Sequence, residues 1–307
     1  MFLQRRAVLA SSNQDKLYSS DLFTTPSQIK NGLDLKNGGM IWVKDRLTAP
    51  LSTIVYDNIR GDDVYLRTDA TAQNTSLNDS LSLEVDGFSA GSALSSYSNA
   101  VAWSFLKNVG FVDILTYRGN NQVTTIPHSL NSNVGLVIVK PYNGATGNWV
   151  VQHKDVNAIS YLRINNSAGS SSNANVWNST PADENNLYVG SNNIANRNGT
   201  DHIAYLFAHN PDKKIFCGSL IGNNNVDGPV ANIGFTPKWI LYKASSTNSN
   251  WAVFDGDRGF DKAIYLDETD AEQSVSVVEV NDLGFKIIAD GGQFNAPGVN
   301  YIFVAIG

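Results

Sequence analysis

The sequence is poor in the residues that most often carry chemistry or cross-link small folds. Cys217 is the only cysteine among 307 residues, which excludes an intrachain disulfide and a zinc site built from cysteine pairs. Glutamate occurs five times and histidine four times. The apolar surroundings of Cys217 in the sequence indicate a small buried hydrophobic side chain.

Charge is also scarce. Charged residues make up 16% of the chain, against about a quarter in a typical soluble domain. The formal net charge is −6, and the lysines and arginines are scattered, so no basic stripe predicts a nucleic-acid partner. Abundant Asn, Ser and Thr predict an uncharged polar surface, which is typical of proteins exposed to harsh surroundings.

Long apolar runs are missing as well. No stretch approaches the roughly eighteen residues that cross a bilayer, so membrane insertion is not expected. Near the N-terminus, Arg5 and Arg6 precede an apolar run of only four residues, whereas a secretory signal needs about seven to fifteen. The expectation is a chain made in the cytoplasm without a signal peptide. Residues 1–16 are either an arm that docks on a partner or a loosely ordered terminus.

The same series of short sequence motifs instead occurs three times along the chain. The copies align on a lysine that closes an apolar run, at Lys44, Lys140 and Lys243, about one hundred residues apart. A turn rich in Gly and Asn precedes each lysine, and an aromatic phrase closes each copy at 103–105, 205–207 and 301–303. This spacing predicts three modules, at residues 17–108, 109–211 and 212–307.

The fold predicted for these modules is all-β. Short runs rich in β-branched and aromatic residues alternate with Asn, Gly and Asp clusters, and a hundred residues suit an antiparallel β-sandwich or a small jelly roll. Helical signals are weak, with at most a turn or two at 79–85 and 269–273. Short joints between the copies predict that they pack against one another, either as separate sandwiches or with shared sheets.

The sequence carries no catalytic motif for a nucleophilic serine, a phosphate-binding loop, a dinucleotide site, a zinc protease or an EF-hand. The four histidines, His128, His153, His202 and His209, match no metal-ligand spacing. We therefore predict no catalytic residue, no cofactor and no metal. A polysaccharide depolymerase stays open as a weaker alternative, because sequence cannot show whether two carboxylates face each other across a cleft.

Two copies share an aspartate–arginine spacing, Asp57 with Arg60 and Asp255 with Arg258. The favoured interpretation is a turn whose carboxylate accepts backbone N–H groups while the arginine covers an aromatic ring. Calcium binding by the second of these turns is an alternative. The repeated lysines are interpreted as strand-end residues whose ammonium groups reach past the core edge.

Long polar stretches at 165–175 and 191–199 predict exposed loops, which are either tolerated insertions or recognition loops. Amides beside an aromatic ring can bind sugars. The candidate contacts for a receptor or glycan are Asn165, Asn166, Asn173, Asn175, Trp177, Asn196 and Asn198.

The ordered motifs carry a family resemblance. They include Asp86-Gly-Phe88, Gly110-Phe-Val-Asp113, Tyr205-Leu-Phe-Ala-His209 and Gly234-Phe-x-Pro-Lys-Trp239. The set, which covers residues 17–307, resembles an uncharacterised repeat domain of virion proteins in tailed bacteriophages, found in tail-fibre and appendage proteins beside laminin-G-like or concanavalin-like domains. The second copy departs from it by lacking the Arg-Gly pair.

The resemblance implies a non-enzymatic structural protein on the particle exterior: a decoration, spike or tail-appendage subunit that aids host attachment. Its implied partners are other virion proteins of the capsid or tail and further copies of itself, as in a trimer. The alternative function is an adhesin for a glycan or receptor on the host surface. A complete fibre shaft is not expected, because the sequence has neither coiled-coil heptads nor a collagen-like tract.

Overall fold

A computed structural model describes residues 16–307, and the chain is all-β, with 44% strand and 6% helix. The all-β prediction is confirmed, as is the antiparallel pairing of the sheets. The proposed N-terminal arm, residues 1–16, lies outside the described residues except for Lys16.

The strands fall into three consecutive segments. The first segment contains Tyr18–Phe23 (β1), Ser27–Lys30 (β2), Gly39–Asp45 (β3), Ile54–Asp57 (β4), Val64–Arg67 (β5), Thr75–Ser76 (β6), Leu81–Glu84 (β7), Gly87–Ala90 (β8) and Ala100–Leu106 (β9). The second contains Val112–Arg118 (β10), Thr124–Pro127 (β11), Val134–Asn143 (β12), Val150–His153 (β13), Ser160–Arg163 (β14), Ser171–Ser172 (β15), Asn186–Val189 (β16) and Asp201–Ala208 (β17). The third contains Ile215–Ile221 (β18), Val230–Asn232 (β19), Trp239–Ala244 (β20), Ala252–Asp255 (β21), Lys262–Tyr265 (β22), Gln273–Ser274 (β23), Val278–Asn281 (β24), Gly284–Ile287 (β25) and Asn300–Ile306 (β26).

Each segment forms one six-stranded sheet. Sheet I has the order β1-β9-β3-β4-β5-β6, sheet II β10-β17-β12-β13-β14-β15, and sheet III β18-β26-β20-β21-β22-β23. In all three, the first strand of the segment pairs with the last, and the last pairs with the central strand β3, β12 or β20. A small sheet accompanies each: β2-β8-β7, β11-β16 and β19-β25-β24.

The alternating pleat of a central strand presents side chains to both faces of its sheet. In β3, Met40 and Trp42 enter a cluster that contains residues of all three large sheets, whereas Ile41 and Val43 pack with residues of the small sheet beside sheet I. Sheet III has a separate outer core of the same kind, while the outer apolar residues of sheet II join the shared cluster. The three segments are therefore separate sheets that pack through a common core.

Aromatic rings fill the middle of the shared core. Trp42 lies 5.7 Å from Phe105, 6.4 Å from Phe207 and 6.0 Å from Trp239 between ring centroids. These edge-to-face contacts join sheets I, II and III. Residues far apart in the chain thus stabilise one body.

The strand registers correct one sequence alignment. Lys44 is opposite Val101, Lys140 is opposite Ile203 and Lys243 is opposite Ile302. Two residues after these partners come Trp103, Tyr205 and Val304, which are therefore equivalent. The sequence alignment instead matches Tyr301 to Trp103 and Tyr205, so the motif at 301–303 lies three residues before the equivalent position. Because strand side chains alternate, an odd displacement reverses the face, and the rings of residues 301 and 303 lie in the outer core of sheet III.

The helices are single turns: Ala174–Trp177 (α1), Asn193–Asn196 (α2) and Gly292–Asn295 (α3). Asn173 and Asn192 cap the first two through side-chain oxygens. No helix forms at 79–85 or 269–273, where the sequence allowed at most a turn or two. Residues 81–84 form β7 with alternating burial, which is the period of a strand, and residues 269–272 have neither helix nor strand.

Candidate functional site

Loops at one edge of each large sheet bind the next sheet. The loop after β5 contacts the end of β12 and the loop that follows it: Asn74 N–H donates to Tyr142 O at 3.1 Å, and Gly147 N–H donates to Thr71 O at 2.9 Å. The Gly144 N–H also donates to the Gln73 side chain at 2.9 Å. Backbone hydrogen bonds therefore connect sheet I to sheet II.

The equivalent loop of sheet II contacts sheet III. Ser170 N–H donates to Ser245 O at 2.8 Å, and Ser249 N–H donates to Ser167 O at 2.9 Å. Gly169 N–H donates to the Asn248 side chain at 3.3 Å. A Cβ at Gly169 would lie 3.0 Å from the backbone of Thr247, so this close approach favours glycine.

The loop of sheet III then contacts sheet I and closes the cycle. Leu51 N–H donates to Thr269 O at 3.0 Å, and Glu272 N–H donates to Arg46 O at 2.8 Å. The Arg46 guanidinium also donates both Nε and one Nη to the Glu272 carboxylate, each at 3.1 Å. The contacts run from I to II, from II to III and from III to I.

The three predicted lysines lie at these contacts, and all are buried. The Nζ of Lys44 donates to Leu51 O and, at 3.4 Å, to Glu268 O of segment three. Lys140 donates to Gly147 O at 2.6 Å and Ala70 O at 3.5 Å, and Lys243 donates to Ser167 O at 3.0 Å. Each ammonium therefore contacts a carbonyl of a neighbouring segment.

Burial lowers the pKa of all three lysines, to about 8 for Lys44, about 7 for Lys140 and about 8 for Lys243. Desolvation disfavours the charged ammonium. For Lys44, nearby carboxylates, Asp69 first, oppose part of this shift. These lysines are structural side chains at inter-sheet contacts, and they do not reach past the core edge.

Two indoles add to the same contacts. The Nε1–H of Trp149 in sheet II donates to Arg67 O of sheet I at 2.7 Å. The Nε1–H of Trp251 in sheet III donates to Arg163 O of sheet II at 2.7 Å. Lys140 and Lys243 lie over these rings at 5.8 and 5.9 Å from the centroids, which adds a cation–π contact.

A buried charge network joins sheets I and II at the Asp57 turn. One carboxylate oxygen of Asp57 accepts the N–H groups of Ile59 at 3.1 Å and Arg60 at 2.9 Å, and the other accepts Arg60 Nε at 2.6 Å. The Tyr205 hydroxyl donates to that second oxygen at 2.7 Å. Burial raises the pKa of Tyr205 well above its usual value, so the phenol stays protonated.

The Asp255 turn repeats this geometry between sheets III and I. Asp255 accepts Arg258 N–H at 3.0 Å and Arg258 Nε at 2.5 Å, and its second oxygen accepts the Trp103 indole N–H at 2.8 Å. The Arg258 guanidinium lies 5.4 Å from the Trp103 ring centroid, and it also donates to Glu272 at 3.1 Å. The carboxylate is thus occupied by protein donors.

Sheet II has His153 at the corresponding place. Met40 is opposite Asp57, Leu136 is opposite His153 and Trp239 is opposite Asp255, so these three residues share one register position. The Nε2 of His153 lies 3.3 Å from Phe303 O of sheet III. Burial lowers the pKa of His153 to about 4, and a neutral imidazole joins these two sheets.

A protein-family match covers nearly the whole chain. A family model described as a domain of unknown function (DUF7483) matches residues 14–307. The chain belongs to this family. Neither a search of the curated proteins nor a search of the solved structures gave a significant match.

In this DUF7483 chain, several of the predicted contact residues are structural. Trp177 is fully buried, and Asn196 is 1% exposed, so neither presents a surface to a glycan. The Asn196 amide donates to Gln122 O at 2.6 Å and Gly190 O at 2.8 Å. The prediction that Trp177 contacts a glycan is wrong, because its ring belongs to the apolar core.

Of the other predicted contact asparagines, three accept hydrogen bonds from backbone N–H groups of the same segment, and two are exposed. Asn165 accepts the Trp149 N–H, Asn166 accepts the Ala168 N–H, and Asn173 caps α1. Only Asn175 and Asn198 are exposed. The prediction of an exposed loop at 165–175 is wrong for residues 165–169, which are half-buried, because the loop packs on sheet III.

Within residues 16–307, no group of three His, Cys, Asp or Glu side chains could hold a metal ion. The Cys217 thiol is buried, and burial raises its pKa. No helix in the described part of the chain has the length and apolar composition required to cross a membrane.

Sequence reasoning missed the partners of the repeated residues. Trp103, Tyr205 and Glu272 complete the two charge networks. Trp103 and Tyr205 lie 152 and 148 residues from the aspartates that they contact, and Glu272 lies 14 residues from Arg258. The polar loops gave no signal of their bridging role, since the hydrogen bonds are mostly between backbone groups. No spacing rule identifies such contacts.

Proposed function

We propose that the chain is a structural component on the exterior of a tailed-bacteriophage virion, built from three copies of one β-sandwich-like module. The resemblance of its ordered motifs to those of phage appendage proteins supports the virion setting. The family match gives no activity. The cyclic contacts between the sheets support a mechanical role for the repeated residues.

The strand order supports the division into three modules. The three large sheets have one order of strands, and Lys44, Lys140 and Lys243 occupy one register position in them. The copies differ in their small sheets, since β11-β16 has two strands where the other small sheets have three. We interpret them as diverged copies of a single ancestral unit.

The observation that carries the proposal is how the repeated polar residues are used. The repeated aspartates and lysines, together with Arg60, Trp149 and Trp251, donate to, or accept from, a neighbouring sheet. A contact network of this kind holds three sheets in fixed relative positions, which is the requirement on a subunit that must keep its shape outside a cell.

This arrangement also bears on the expected partners. The three loop contacts between the sheets are made within one chain, so a trimer of chains would use other surfaces. We propose that virion proteins of the capsid or tail bind the outside of this body. Light scattering of the purified chain measures its oligomeric state, and a trimer would mean that a further self-contact exists.

The experiment is to purify particles from infected cells that encode the chain and to analyse them by mass spectrometry and immunogold labelling. The proposal expects a fixed number of copies per particle and labelling of intact virions. A chain found only in the cell lysate, and missing from purified particles, would contradict it.

A second candidate is an adhesin for host-surface glycans, and the contact between α1 and α2 favours it. Asn192 N–H donates to Asn175 O at 3.0 Å, which brings the end of one predicted loop beside the other. The exposed amides of Asn175 and Asn198 therefore belong to neighbouring loops on the outside of sheet II. Amide groups of this kind bond sugar hydroxyls.

This candidate is tested with a glycan array and a host-adsorption assay on Asn175→Ala/Asn198→Ala. Asn78→Ala, at another exposed asparagine, is the control. Loss of binding only in the double variant supports adhesion by this surface. Unchanged adsorption contradicts it, and release of reducing sugar ends by the wild-type chain would instead identify a depolymerase.

A further inference from the structure

A cavity of about 540 Å³ opens at one end of the body. Its lining comes from all three segments: Tyr18 at the start of β1, Phe111 just before β10, the turn 212–214 before β18, and Ile306 at the end of β26. The inter-sheet contacts described above recur around the molecule. Here Leu17, Phe111 and Lys214 directly precede the first strands of the three large sheets at one register position, but their side chains differ in charge and size.

The cavity is positively charged in a negatively charged chain. Its lining includes the exposed lysines Lys16, Lys213, Lys214 and Lys238, with Asp212 as the acidic side chain. The whole chain has a formal net charge of −6. Within residues 16–307, none of these four lysines is in an ion pair, and like charges brought together attract an anion.

We propose that this cavity binds a compact anion that carries at least two phosphate, sulfate or carboxylate groups. The volume lies within the range of ligand pockets, roughly 300–1,000 Å³. An exposed ion pair changes an equilibrium by a factor of about five at most, so measurable affinity requires several groups on one ligand. Lysines act as point charges and do not demand the bidentate geometry of an arginine site.

The apolar part of the lining distinguishes this ligand from a neutral sugar. Phe111 is 1% exposed and Tyr18 is 7% exposed, so the cavity offers no open ring face on which a sugar could stack. Asn108 also lines the cavity, and an amide can accept or donate a hydrogen bond to the ligand. Recognition therefore depends on charge.

The test is calorimetric titration of the full chain with sodium tripolyphosphate at low ionic strength, with acetate as the monovalent control. The proposal expects saturable binding of one tripolyphosphate and at least tenfold weaker binding of acetate. Since exposed charges are screened by salt, the affinity should fall as NaCl is added. The absence of saturable binding would overturn the proposal.

Variants locate the site. Lys213→Ala/Lys238→Ala should weaken tripolyphosphate binding about tenfold, because each lysine contributes a factor of about three. Arg197→Ala is the matched control: it removes an exposed positive charge before β17, at the opposite end of sheet II from Phe111. Both variants change exposed side chains, and equal melting temperatures check their folding.

Two outcomes would contradict the assignment. An equal loss of affinity in Arg197→Ala and in the double lysine variant would mean that net charge, not the cavity, attracts the anion. Binding of polyglutamate without binding of tripolyphosphate would mean that the surface takes an extended acidic segment in place of a compact ligand. The proposal stands independently of the virion assignment.

Discussion

Two corners of the molecule occupy the same position in their sheets but contain different chemistry. At one, Asp255 and Arg258 form a buried ion pair. Asp255 accepts the indole N–H of Trp103, and Arg258 donates to Glu272. At the other, His153 contacts a backbone carbonyl of sheet III, and no arginine of residues 16–307 pairs with it. Both corners are buried, and both join neighbouring sheets.

The difference teaches that the position needs a hydrogen-bonding partner for the adjacent sheet and does not need a charge. A charge at the first corner requires a complete set of donors, because an unpaired buried ion is strongly destabilising. A neutral imidazole at the second requires only one partner. The second segment is therefore joined to sheet III without an arginine at this position.

The largest expected effect comes from breaking the charged corner. Asp255→Ala leaves the Arg258 guanidinium buried without its carboxylate and removes the acceptor of the Trp103 indole. We expect a loss of about 3–5 kcal/mol in the free energy of unfolding, measured by urea denaturation. Asp201→Ala, which breaks the exposed pair with Arg118, should cost no more than about 1 kcal/mol; equal losses would contradict the comparison.

The lysines occur in all three sheets, and they should make stability rise with pH. The unfolded chain keeps the lysine proton up to the ordinary lysine pKa of 10.5, whereas folded Lys140 loses it near a pKa of about 7. Between these values the unfolded state binds more protons, so stability increases as pH rises. Lys140→Met should remove roughly 4 kcal/mol of that rise.

The measurement is urea denaturation from pH 7 to pH 10 for the wild type and Lys140→Met. Lys36→Met, at an exposed lysine, serves as the control and should keep the rise. If stability rises equally with pH in the wild type and in Lys140→Met, the deprotonation of Lys140 does not cause the rise.

The neutral corner should respond to acid. A histidine in the unfolded chain has the ordinary pKa of 6.5, and burial lowers the pKa of His153 to about 4. The stability present above pH 6.5 is therefore lost as pH falls toward 4, because the unfolded state takes up the proton first. His153→Gln should reduce this loss by roughly 2.5 kcal/mol, measured by denaturation at pH 7 and pH 4.5. An acid response as steep as that of the wild type would contradict this assignment.

The smallest effect separates two buried tryptophans. Trp149→Phe removes the indole donor to Arg67 O, whereas Trp177→Phe removes an indole N–H that has no partner in the described residues. Both lose a similar volume, so Trp149→Phe should be more destabilising by about 1 kcal/mol, measured by thermal unfolding. Equal melting temperatures would show that the hydrogen bond from Trp149 to Arg67 O does not stabilise the fold measurably.

Local patterns explain what could be predicted. Alternating β-branched and aromatic runs gave the all-β class, and the three-residue spacing of Asp57 and Arg60 is enough for a carboxylate to accept the N–H groups of its own turn. The lysine landmarks also identified equivalent positions in the three central strands. The aromatic phrase at 301–303 was misaligned because similar composition does not fix which face of the strand a ring takes.

The sequence by itself determined the strands, the turns and the positions at which the three segments correspond, since these depend on neighbours a few residues apart. Only the tertiary structure decided which residue completes each charge network, that the polar 165–169 loop joins two sheets, and that Lys16, Lys213 and Lys238 line one cavity. Arg60 contacts Tyr205 across 145 positions of sequence. Such contacts arise when the three sheets pack on a common core, and no local spacing encodes them.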